Sequence, residues 1–434
     1  MRILIVSYFF PPYNTIGAVR LGKIAKYLTA FGHEVRVVTA EPQSAQATLP
    51  LEIPAENVTY TRWLDVNLPV TLAMGGRNRT AAKGYGYTGP ASGVVGRLGA
   101  LYKTFFHFPD GMIGWLPYAE RGVTRVLREW RPDVVYASAL PFTSLLAAHR
   151  ACSRAGVPWV AEFRDLWTDS PVYGHTGARR RADERMERWA LSSVAGFATV
   201  SDPMARTLER KYDRPAAVIL NGYDPDDIPA AAVVPTDGGR VNIVHSGMVY
   251  PGMRDPAPLF AAMAQLGPAV AKVRVRFFGR YLGGLLEMAR QRGVEEQVEV
   301  HDQVPYAESL RLQRTSDVLL LLTWPVPQAD GDYSGKVFEY IGAGRPVLAL
   351  GRPENVALRL VEERRAGFSA LDAGRIAAQL RAWIDEKAAN GTIAAPPPDA
   401  AEGLSRQAQV RKLESFLEGI VAGTARVQLA RGGG

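Results

Sequence analysis

The chain has 434 residues, of which 47% are hydrophobic and 22% charged, so it can bury a sizeable core and wholesale disorder is excluded. Its single cysteine, Cys152, excludes an intramolecular disulfide framework and a cysteine-rich metal site, and it favours a reducing, cytoplasmic location. The net charge of +8 favours anionic partners such as nucleic acid, nucleotide phosphates or acidic lipid, although many basic proteins have no such role.

The first half of the chain alternates short β-branched runs with helix-length amphipathic segments, which is typical of parallel sheets with crossover helices. Strands are predicted near Arg2–Ser7, Glu34–Thr39, Asp133–Ala137, Trp159–Phe163, Gly196–Val200 and Ala217–Leu220. The apolar spacing from Leu21 to Leu28 predicts a helix that ends near Gly32. The fold class is therefore α/β, and a first domain is predicted at residues 1–224.

Residues 68–117 fit this alternation poorly and are predicted to form an insertion in the first domain. Within it, Val94–Phe108 combines aliphatic and aromatic side chains with Arg97 and Lys103. Such a segment either lies on an anionic membrane surface or packs on its own domain as an ordinary helix. No stretch of the sequence approaches the roughly 20 apolar residues of a membrane-spanning helix. We therefore predict peripheral membrane contact, through Val94–Trp115.

A stretch rich in Pro, Ala, Asp and Gly predicts a linker at residues 225–239, followed by a second α/β domain at 240–393. Its strands are predicted near Val241–His245, Val273–Phe278, Val298–His301, Val318–Leu322 and Val347–Leu350. A proline-rich break then precedes an amphipathic segment at 402–421. We expect that final helix to cross back to the first domain.

Each domain has a loop between its first strand and first helix where an anion could bind. In the first domain this helix begins near Gly17, and the backbone N–H groups of a helix N-terminus favour an anion. The loop lacks the glycine patterns of dinucleotide dehydrogenases and P-loop enzymes, which argues against both classes.

The corresponding loop of the second domain contains Gly247, Gly252 and Arg254. Asp255 is predicted to cap a helix that begins at Pro256, so that Arg254 lies just outside its positive end. An ordinary strand-to-helix turn explains the glycines equally well. The arginine favours a phosphate ligand.

The strongest local signal is the segment Tyr333–Val347, in which a loop leads into a short helix and then a strand. Lys336 is in the first turn of this helix, where the helix dipole disfavours a cation, and Glu339 follows one turn later. This arrangement predicts an anionic ligand at Lys336 and ribose hydroxyls at Glu339. An exposed Lys–Glu pair on a surface helix is the alternative interpretation.

These segments together resemble glycosyltransferase family 4, and the resemblance runs over nearly the whole chain. Its motifs are Ile16–Arg20, Gly32–Val35, Thr199–Ser201, Asn221–Asp224, His301–Pro305, Gly335–Tyr340 and Gly344–Val347. Two further motifs, Pro109–Trp115 and Phe163–Trp167, are similar to the branch that builds surface polysaccharides such as O-antigen, capsule and exopolysaccharide.

The resemblance implies the GT-B fold, in which two Rossmann-like domains face each other and the nucleotide-sugar donor lies on the second. Gly247, Arg254 and Lys336 match the positions that hold the diphosphate of the donor. The two cations would stabilise charge on the departing diphosphate, which gives them a catalytic role. Glu339 matches the ribose-binding glutamate, and Gly17 matches the glycine loop of the first domain that approaches the diphosphate and the sugar.

The resemblance also assigns the nucleobase and the acceptor. Val304 lies in the segment His301–Pro305, where the edge of the base is read. The family's acceptor-side histidine is replaced near Arg164 and Asp165, at the end of a predicted strand. Asp165 is the candidate for orienting an acceptor hydroxyl, and a structural Arg–Asp pair is the alternative.

The sequence departs from the family pattern at two donor-side positions. Met248 occupies the place of the usual basic residue, which leaves the two cations named above to carry the charge. The first of the family's two glutamates falls on Gly331, between Asp330 and Asp332, and either aspartate could replace it.

The implied activity is a retaining transfer of a sugar from a UDP- or GDP-linked donor to a glycan or polyprenyl-linked acceptor. No metal and no cofactor are expected. The expected location is cytoplasmic, at the cytoplasmic face of the inner membrane and in contact with anionic lipid. A nucleotide-sugar 2-epimerase or phosphorylase of the same fold, and a non-catalytic sugar- or nucleotide-binding subunit, remain alternatives. Nucleic acid is not expected as a partner, because the basic run Arg179–Arg181 lies on a predicted helix that also carries acidic residues.

Overall fold

The computed structural model describes residues 1–43, 45–68, 102, 106–170, 173–228, 239–250, 252–280, 282–331 and 333–423. The chain forms two compact units. Met1–Ile219, together with the chain from Val410 onward, makes up the first, and Leu220–Gln409 makes up the second. Of the predicted linker, residues 229–238 lie outside the described part of the chain.

The first unit is built on a parallel sheet whose central strands are almost entirely buried. The strands are β1 Arg2–Val6, β2 Glu34–Ala40, β3 Val58–Thr61, β4 Val134–Ala139, β5 Trp159–Phe163, β6 Gly196–Thr199 and β7 Ala216–Val218. Their spatial order is β3-β2-β1-β4-β5-β6-β7. Parallel strands covered on both faces have near-continuous apolar runs, which is why six of these strands could be predicted from the sequence. The edge strand β3 was not predicted.

Helices cover both faces of this sheet. They are α1 Ile16–Ala30, α2 Leu116–Trp130, α3 Thr143–Ala155, α4 Gly177–Ala190 and α5 Asp202–Tyr212. The first begins where it does because the hydroxyl of Thr15 accepts a hydrogen bond from the backbone N–H of Ala18, at 3.1 Å. It ends before Gly32, whose φ of +89° reverses the backbone as the predicted stop requires.

The last helix also packs on the first unit. After the second unit the chain forms α12, Arg406–Val421. Its side chains Val410, Leu413 and Leu417 are buried in the same core as Ile3 and Ile5 of β1. The predicted return of the C-terminal helix to the first domain is thereby confirmed.

The second unit repeats the architecture with a second parallel sheet. Its strands are β8 Val241–Ser246, β9 Val273–Phe278, β10 Val298–His301, β11 Val318–Leu322, β12 Val347–Leu350 and β13 Gly367–Ala370, in the order β10-β9-β8-β11-β12-β13. Its helices are α6 Ala257–Ala264, α7 Leu285–Gln291, α8 Tyr306–Thr315, α9 Lys336–Gly342, α10 Val356–Glu363 and α11 Ala373–Asn390. The predicted α/β class is therefore correct for both units.

The strand order of each sheet reverses once, between β1 and β4 in the first unit and between β8 and β11 in the second. At such a point the loops that follow the two strands leave in opposite directions, and ligands of open α/β sheets bind in the crevice between them. The loop that leads into α1, whose second residue is Gly17, follows β1, and the loop that contains Gly247 follows β8. Each predicted loop therefore lies at the switch point of its own sheet.

Half of the predicted membrane-binding segment Val94–Trp115, namely residues 94–101 and 103–105, lies outside the described residues. At the end of the segment, Trp115 is fully buried and is therefore not available to a membrane surface. Its indole N–H donates to the hydroxyl of Thr61 at 2.7 Å, and its ring packs edge-on against Tyr8. Among the described helices, none combines the length and the apolar character that crossing a membrane would demand.

Candidate functional site

The loop after β8 lies against the side chain of Lys336 at Gly247, where the backbone conformation favours glycine. Gly247 has a φ of +142°, and its N–H donates to the carbonyl of Phe278 at 2.7 Å. A Cβ atom on Gly247 would lie 2.3 Å from Cε of Lys336. On the other side, a Cβ atom on Gly279 would lie 2.2 Å from the carbonyl oxygen of Gly247. Lys336 therefore lies directly across the backbone of this loop.

Lys336 is the first residue of α9, and its side chain is half-buried. Its ammonium group forms no hydrogen bond or ion pair with any residue in the described part of the chain. The pKa of Lys336 is lowered to about 8, first by burial and then by the charge of Arg254, while Glu339 acts in the opposite direction. A lysine in this environment gains most from an added anion, since the anion would offset both the burial and the neighbouring cation.

A tight turn holds Arg254 near this lysine. The carboxylate of Asp255 accepts hydrogen bonds from the N–H groups of Gly252, at 3.2 Å, and Ala257, at 2.8 Å. The predicted cap is wrong by one residue: the helix begins at Ala257 with Pro256 as its N-cap, and Asp255, just before the cap, holds the turn instead. The guanidinium of Arg254 also makes no hydrogen bond or ion pair with another described residue. Two cations are thus held beside one glycine loop, and neither is bonded to a carboxylate of a described residue, which is an arrangement suited to a phosphate.

Glu339 follows Lys336 by one helical turn and faces the start of α8. The hydroxyl of Tyr306 donates to Oε1 of Glu339 at 3.3 Å, and burial together with the charge of Glu339 raises the pKa of Tyr306. Val304, two residues before Tyr306, is half-buried and packs against the apolar core of the second unit. The ring of His301 stacks on Phe278 with centroids 4.6 Å apart. The predicted donor-side residues of the second unit therefore all lie at the carboxyl edge of its sheet.

His245 is a residue of this site that was not predicted. It is buried in β8, and its Nδ1 lies 2.8 Å from the carbonyl oxygen of Leu320 in β11. Because a carbonyl only accepts, Nδ1 carries the proton. Burial first, and then the charge of Lys336, lowers the pKa of His245 to about 3, so the imidazole is neutral. A neutral, fixed imidazole thus bridges the two strands at the switch point, two residues before Gly247.

The structure describes one of the two aspartates that could replace the missing glutamate. Asp330 forms an ion pair with Arg352, with 3.3 Å between Nε and Oδ1. Its carboxylate is therefore already engaged within the unit. Asp332 lies outside the described residues.

In the first unit, Gly17 and the segment after β5 meet at the carboxyl edge of the sheet. Gly17 is buried at the second position of α1, and a Cβ atom there would lie 2.7 Å from Nη1 of Arg164. Asp165 is exposed beside this arginine. Of the two residues predicted in this unit, Gly17 therefore lies against the guanidinium of Arg164, and Asp165 follows that arginine in the chain.

The lowered pKa of Lys336 predicts a pH dependence for anion binding. Uridine diphosphate (UDP), which is fully ionised above neutral pH, should bind most tightly where the lysine is charged. Its affinity should fall about tenfold between pH 7 and pH 9, because about nine-tenths of the ammonium is lost one unit above a pKa of about 8. Calorimetric titration across this range measures the effect. The Lys336→Arg variant, whose charge does not titrate, is the control, and an equally steep loss in that variant would contradict the assignment.

Comparisons with known proteins agree with this architecture. The model of Glycosyltransferase Family 4 matches residues 17–227, just under half of the chain. No curated protein matches the sequence significantly. Among solved structures, a glycosyltransferase from Rickettsia africae is 13% identical, with a TM-score of 0.61, over 97% of this chain and 98% of its own.

Two other solved structures are similar over almost the same length. Anabaena HepE, solved with UDP and glucose, is 17% identical with a TM-score of 0.57, over 99% of this chain and 100% of its own. A Listeria monocytogenes protein proposed to be a UDP-N-acetylglucosamine 2-epimerase is 14% identical with a TM-score of 0.57, over 98% of each chain. Such low identities establish the fold alone. The chain has the GT-B fold, and its first unit matches the glycosyltransferase family 4 model.

Proposed function

We propose that this protein is a glycosyltransferase that takes its sugar from a nucleotide-diphosphate donor. The observation that carries the proposal is the pair of cations, Lys336 and Arg254, held beside Gly247 without a bonded carboxylate among the described residues. Glu339, one turn after the lysine, supplies the acceptor that a ribose needs. The match of residues 17–227 to a glycosyltransferase model supports the same activity.

In this proposal the two cations act on the leaving group. As the bond between the sugar and the diphosphate breaks, negative charge builds up on the diphosphate, and Lys336 and Arg254 stabilise it in place of a metal ion. Glu339 already accepts a hydrogen bond from Tyr306 at Oε1, which fixes the carboxylate and directs its remaining lone pairs to ribose hydroxyls. Val304 borders the base, and Gly247 lets the backbone approach the phosphates.

The finer assignments rest on the sequence motifs. We propose a retaining transfer from a UDP- or GDP-linked sugar to a glycan or polyprenyl-linked acceptor of a surface polysaccharide. We assign Asp165 to the acceptor side, because it is exposed at the carboxyl edge of the first sheet. We place the protein in the cytoplasm, in peripheral contact with an anionic membrane. That HepE was solved with UDP and glucose supports a UDP-linked donor.

The test is a panel of UDP- and GDP-sugars screened by thermal shift, followed by incubation of the stabilising donor with and without membrane-derived lipid-linked acceptors. We expect transfer only with acceptor, and we expect it to persist in EDTA, since the cations provide the positive charge. Conversion of the donor sugar in the absence of acceptor would identify an epimerase. Donor binding without turnover on any acceptor would identify a binding subunit, and loss in EDTA with recovery in manganese would refute metal independence.

A further inference from the structure

One side of the first unit carries arginines at a regular spacing. On α2 the arginines are Arg121, Arg125 and Arg128, and all three are exposed. The helix α4 repeats the spacing with three more exposed arginines, Arg181, Arg185 and Arg188. Side chains that follow one another by four and then three residues lie on the same side of a helix. The other side of α2 is buried through Val123 and Leu127, and that of α4 through Ala190, so both rows of arginines point away from the core.

The helix α3 lies between these two helices. Arg154 of α3 forms an ion pair with Glu120 of α2. Toward α4, the ring of His149 packs edge-on against Trp189 with centroids 4.5 Å apart, and the guanidinium of Arg150 lies 5.7 Å from the centroid of the same ring. Packed helices are about 8–10 Å apart, and helices of 13–15 residues are about 20 Å long. The outward sides of α2, α3 and α4 therefore form one surface roughly 20 Å in each direction, which we call the arginine face.

The charges of the arginine face are not balanced. Three carboxylates of these helices reach the surface, Glu120, Glu129 and Glu184, and each pairs with an arginine of the face. Five other arginines form no hydrogen bond or ion pair with any residue that the structure describes: Arg121, Arg128, Arg181, Arg185 and Arg188. On the opposite side of the sheet, α12 carries two cations and two carboxylates, Arg411, Lys412, Glu414 and Glu418. An excess of positive charge therefore lies on the arginine face.

A groove beside α2 gathers part of this charge. Its volume is about 670 Å³, and its charged lining within the described residues consists of Arg121, Arg125, Arg128 and Arg154 with Glu120 and Glu129. Arginines at this spacing repel one another, and like charges four residues apart weaken a helix. A phosphate would relieve the repulsion, because its oxygens match the planar guanidinium. The unbonded arginines stabilise no described contact, and they suit a ligand with several phosphates.

We propose that the arginine face binds the phosphate headgroups of an anionic lipid membrane. A membrane surface is planar, so a face of this width brings the unbonded arginines within about 8–10 Å of it, which is the distance over which salt leaves the attraction effective. Trp189 is 45% exposed between α3 and α4, and an aromatic ring of this kind anchors proteins at the headgroup level. The proposal gives a surface to the peripheral membrane contact of the proposed function, and it rests on that part of the function alone. The surface is separate from the predicted segment Val94–Trp115.

Nucleic acid is the other polyanion that arginines bind. A helix that reads a duplex enters its major groove, which is about 12 Å wide. In this unit α2, α3 and α4 lie side by side, and the inner side of each is buried in the same core. Such a broad array fits a planar membrane better than the groove of a duplex. Duplex DNA is therefore the rival ligand in the experiment.

The test variant replaces Arg121, Arg128 and Arg185 by glutamine in the full-length protein. None of the three bonds to a described residue, and glutamine forms helices about as well as arginine, so the variant should fold. The matched control replaces three exposed cations of the second unit by glutamine, Lys272, Arg292 and Arg359. Both variants lose the same net charge. Circular dichroism confirms that each is folded, and a UDP titration of each reports the donor site separately.

Flotation with lipid vesicles measures the binding. The wild type should float with vesicles of phosphatidylethanolamine and phosphatidylglycerol, should not float with phosphatidylcholine vesicles, and should be released by high salt. Each arginine near an anionic surface strengthens binding about fivefold, so the test variant should bind on the order of 100-fold more weakly than the wild type. The control should stay within about fivefold of the wild type.

Equal weakening of the two variants would overturn the proposal, because net charge and not the arginine face would then attract the protein. Unchanged vesicle binding by the test variant would overturn it as well. If the wild type binds no vesicles but binds duplex DNA, and the test variant loses that binding, the face is a nucleic-acid surface and the lipid proposal is wrong.

The outcome is separable from that of the proposed donor. Wild-type protein that floats with anionic vesicles through these arginines but never binds UDP would keep the arginine face and refute the nucleotide-sugar donor. Wild-type protein that binds UDP but never floats would do the reverse.

Discussion

Replacing Lys336 by alanine should weaken binding of the nucleotide-sugar donor about 10- to 150-fold, because a charge-assisted hydrogen bond contributes about 1.5–3 kcal/mol. The same change should depress turnover, since charge on the departing diphosphate grows toward the transition state. The variant should fold, because the ammonium of Lys336 bonds to no residue in the described part of the chain, and removing it breaks no internal pair.

Glu339→Gln is the matched comparison on the same helix. Glutamine keeps an oxygen that can accept the hydrogen bond from Tyr306, so the change isolates the negative charge of Glu339. It should weaken donor binding by a similar factor but leave turnover at saturating donor close to that of the wild type. Lys336 and Glu339 thus differ in kind, one acting on the transition state and the other on donor affinity.

Donor titration and initial rates on folded protein measure both effects. Lys336→Arg serves as a second control, because it keeps the charge while changing its geometry. Near-wild-type kinetics in both Lys336→Ala and Glu339→Gln would reduce this segment to an ordinary surface helix. The proposed function would then lose the observation on which it depends.

The fold could be predicted to a large extent because the central strands carry their own signal. A buried parallel strand such as Val318–Leu322 is apolar at every position and needs no partner to be recognised. The two strands that were not predicted, Val58–Thr61 and Gly367–Ala370, are at the edges of their sheets. The first is short and mostly half-buried, and the second consists largely of small residues, so neither has an apolar run. Their pairing depends on a neighbouring strand.

The candidate site could be predicted only where a residue type is informative within its own segment. Gly247 and Lys336 stand out because a strand-to-loop glycine and a lysine at a helix start are locally unusual. His245 did not stand out, and Arg164 was considered only as a structural partner of Asp165, because both residues bond to carbonyl groups distant in sequence, at Leu320 and Ala139. The spacing of residues along the chain does not indicate such contacts. The donor- and acceptor-side roles of these residues stay predictions.

Arg20→Met should be the most destabilising single change in the first unit. Arg20 and Glu162 are only 2% and 0% exposed, with 2.8 Å between Nε and Oε1. Loss of the arginine leaves a buried carboxylate whose remaining hydrogen bonds from described residues come from the hydroxyls of Tyr136 and Ser138, and breaking a buried pair in this way costs about 3–5 kcal/mol. Urea denaturation followed by tryptophan fluorescence measures the loss, because most of the tryptophans lie in this unit.

Two further variants decide whether the cost comes from the unpaired charge. Arg20→Met with Glu162→Gln replaces the pair by neutral groups and should recover much of the lost free energy of unfolding. Arg125→Met removes an arginine from the exposed pair with Glu129 and should cost less than about 1 kcal/mol.

The pKa of Glu162 is lowered in the folded wild type. The stabilising effect of its charge is therefore present above the pKa of an unfolded glutamate and is lost as the pH falls through the folded value. The difference between wild type and Arg20→Met should therefore be largest near neutral pH and should shrink in acid. A difference that does not change with pH would show that Arg20 stabilises the unit by packing and not by its charge.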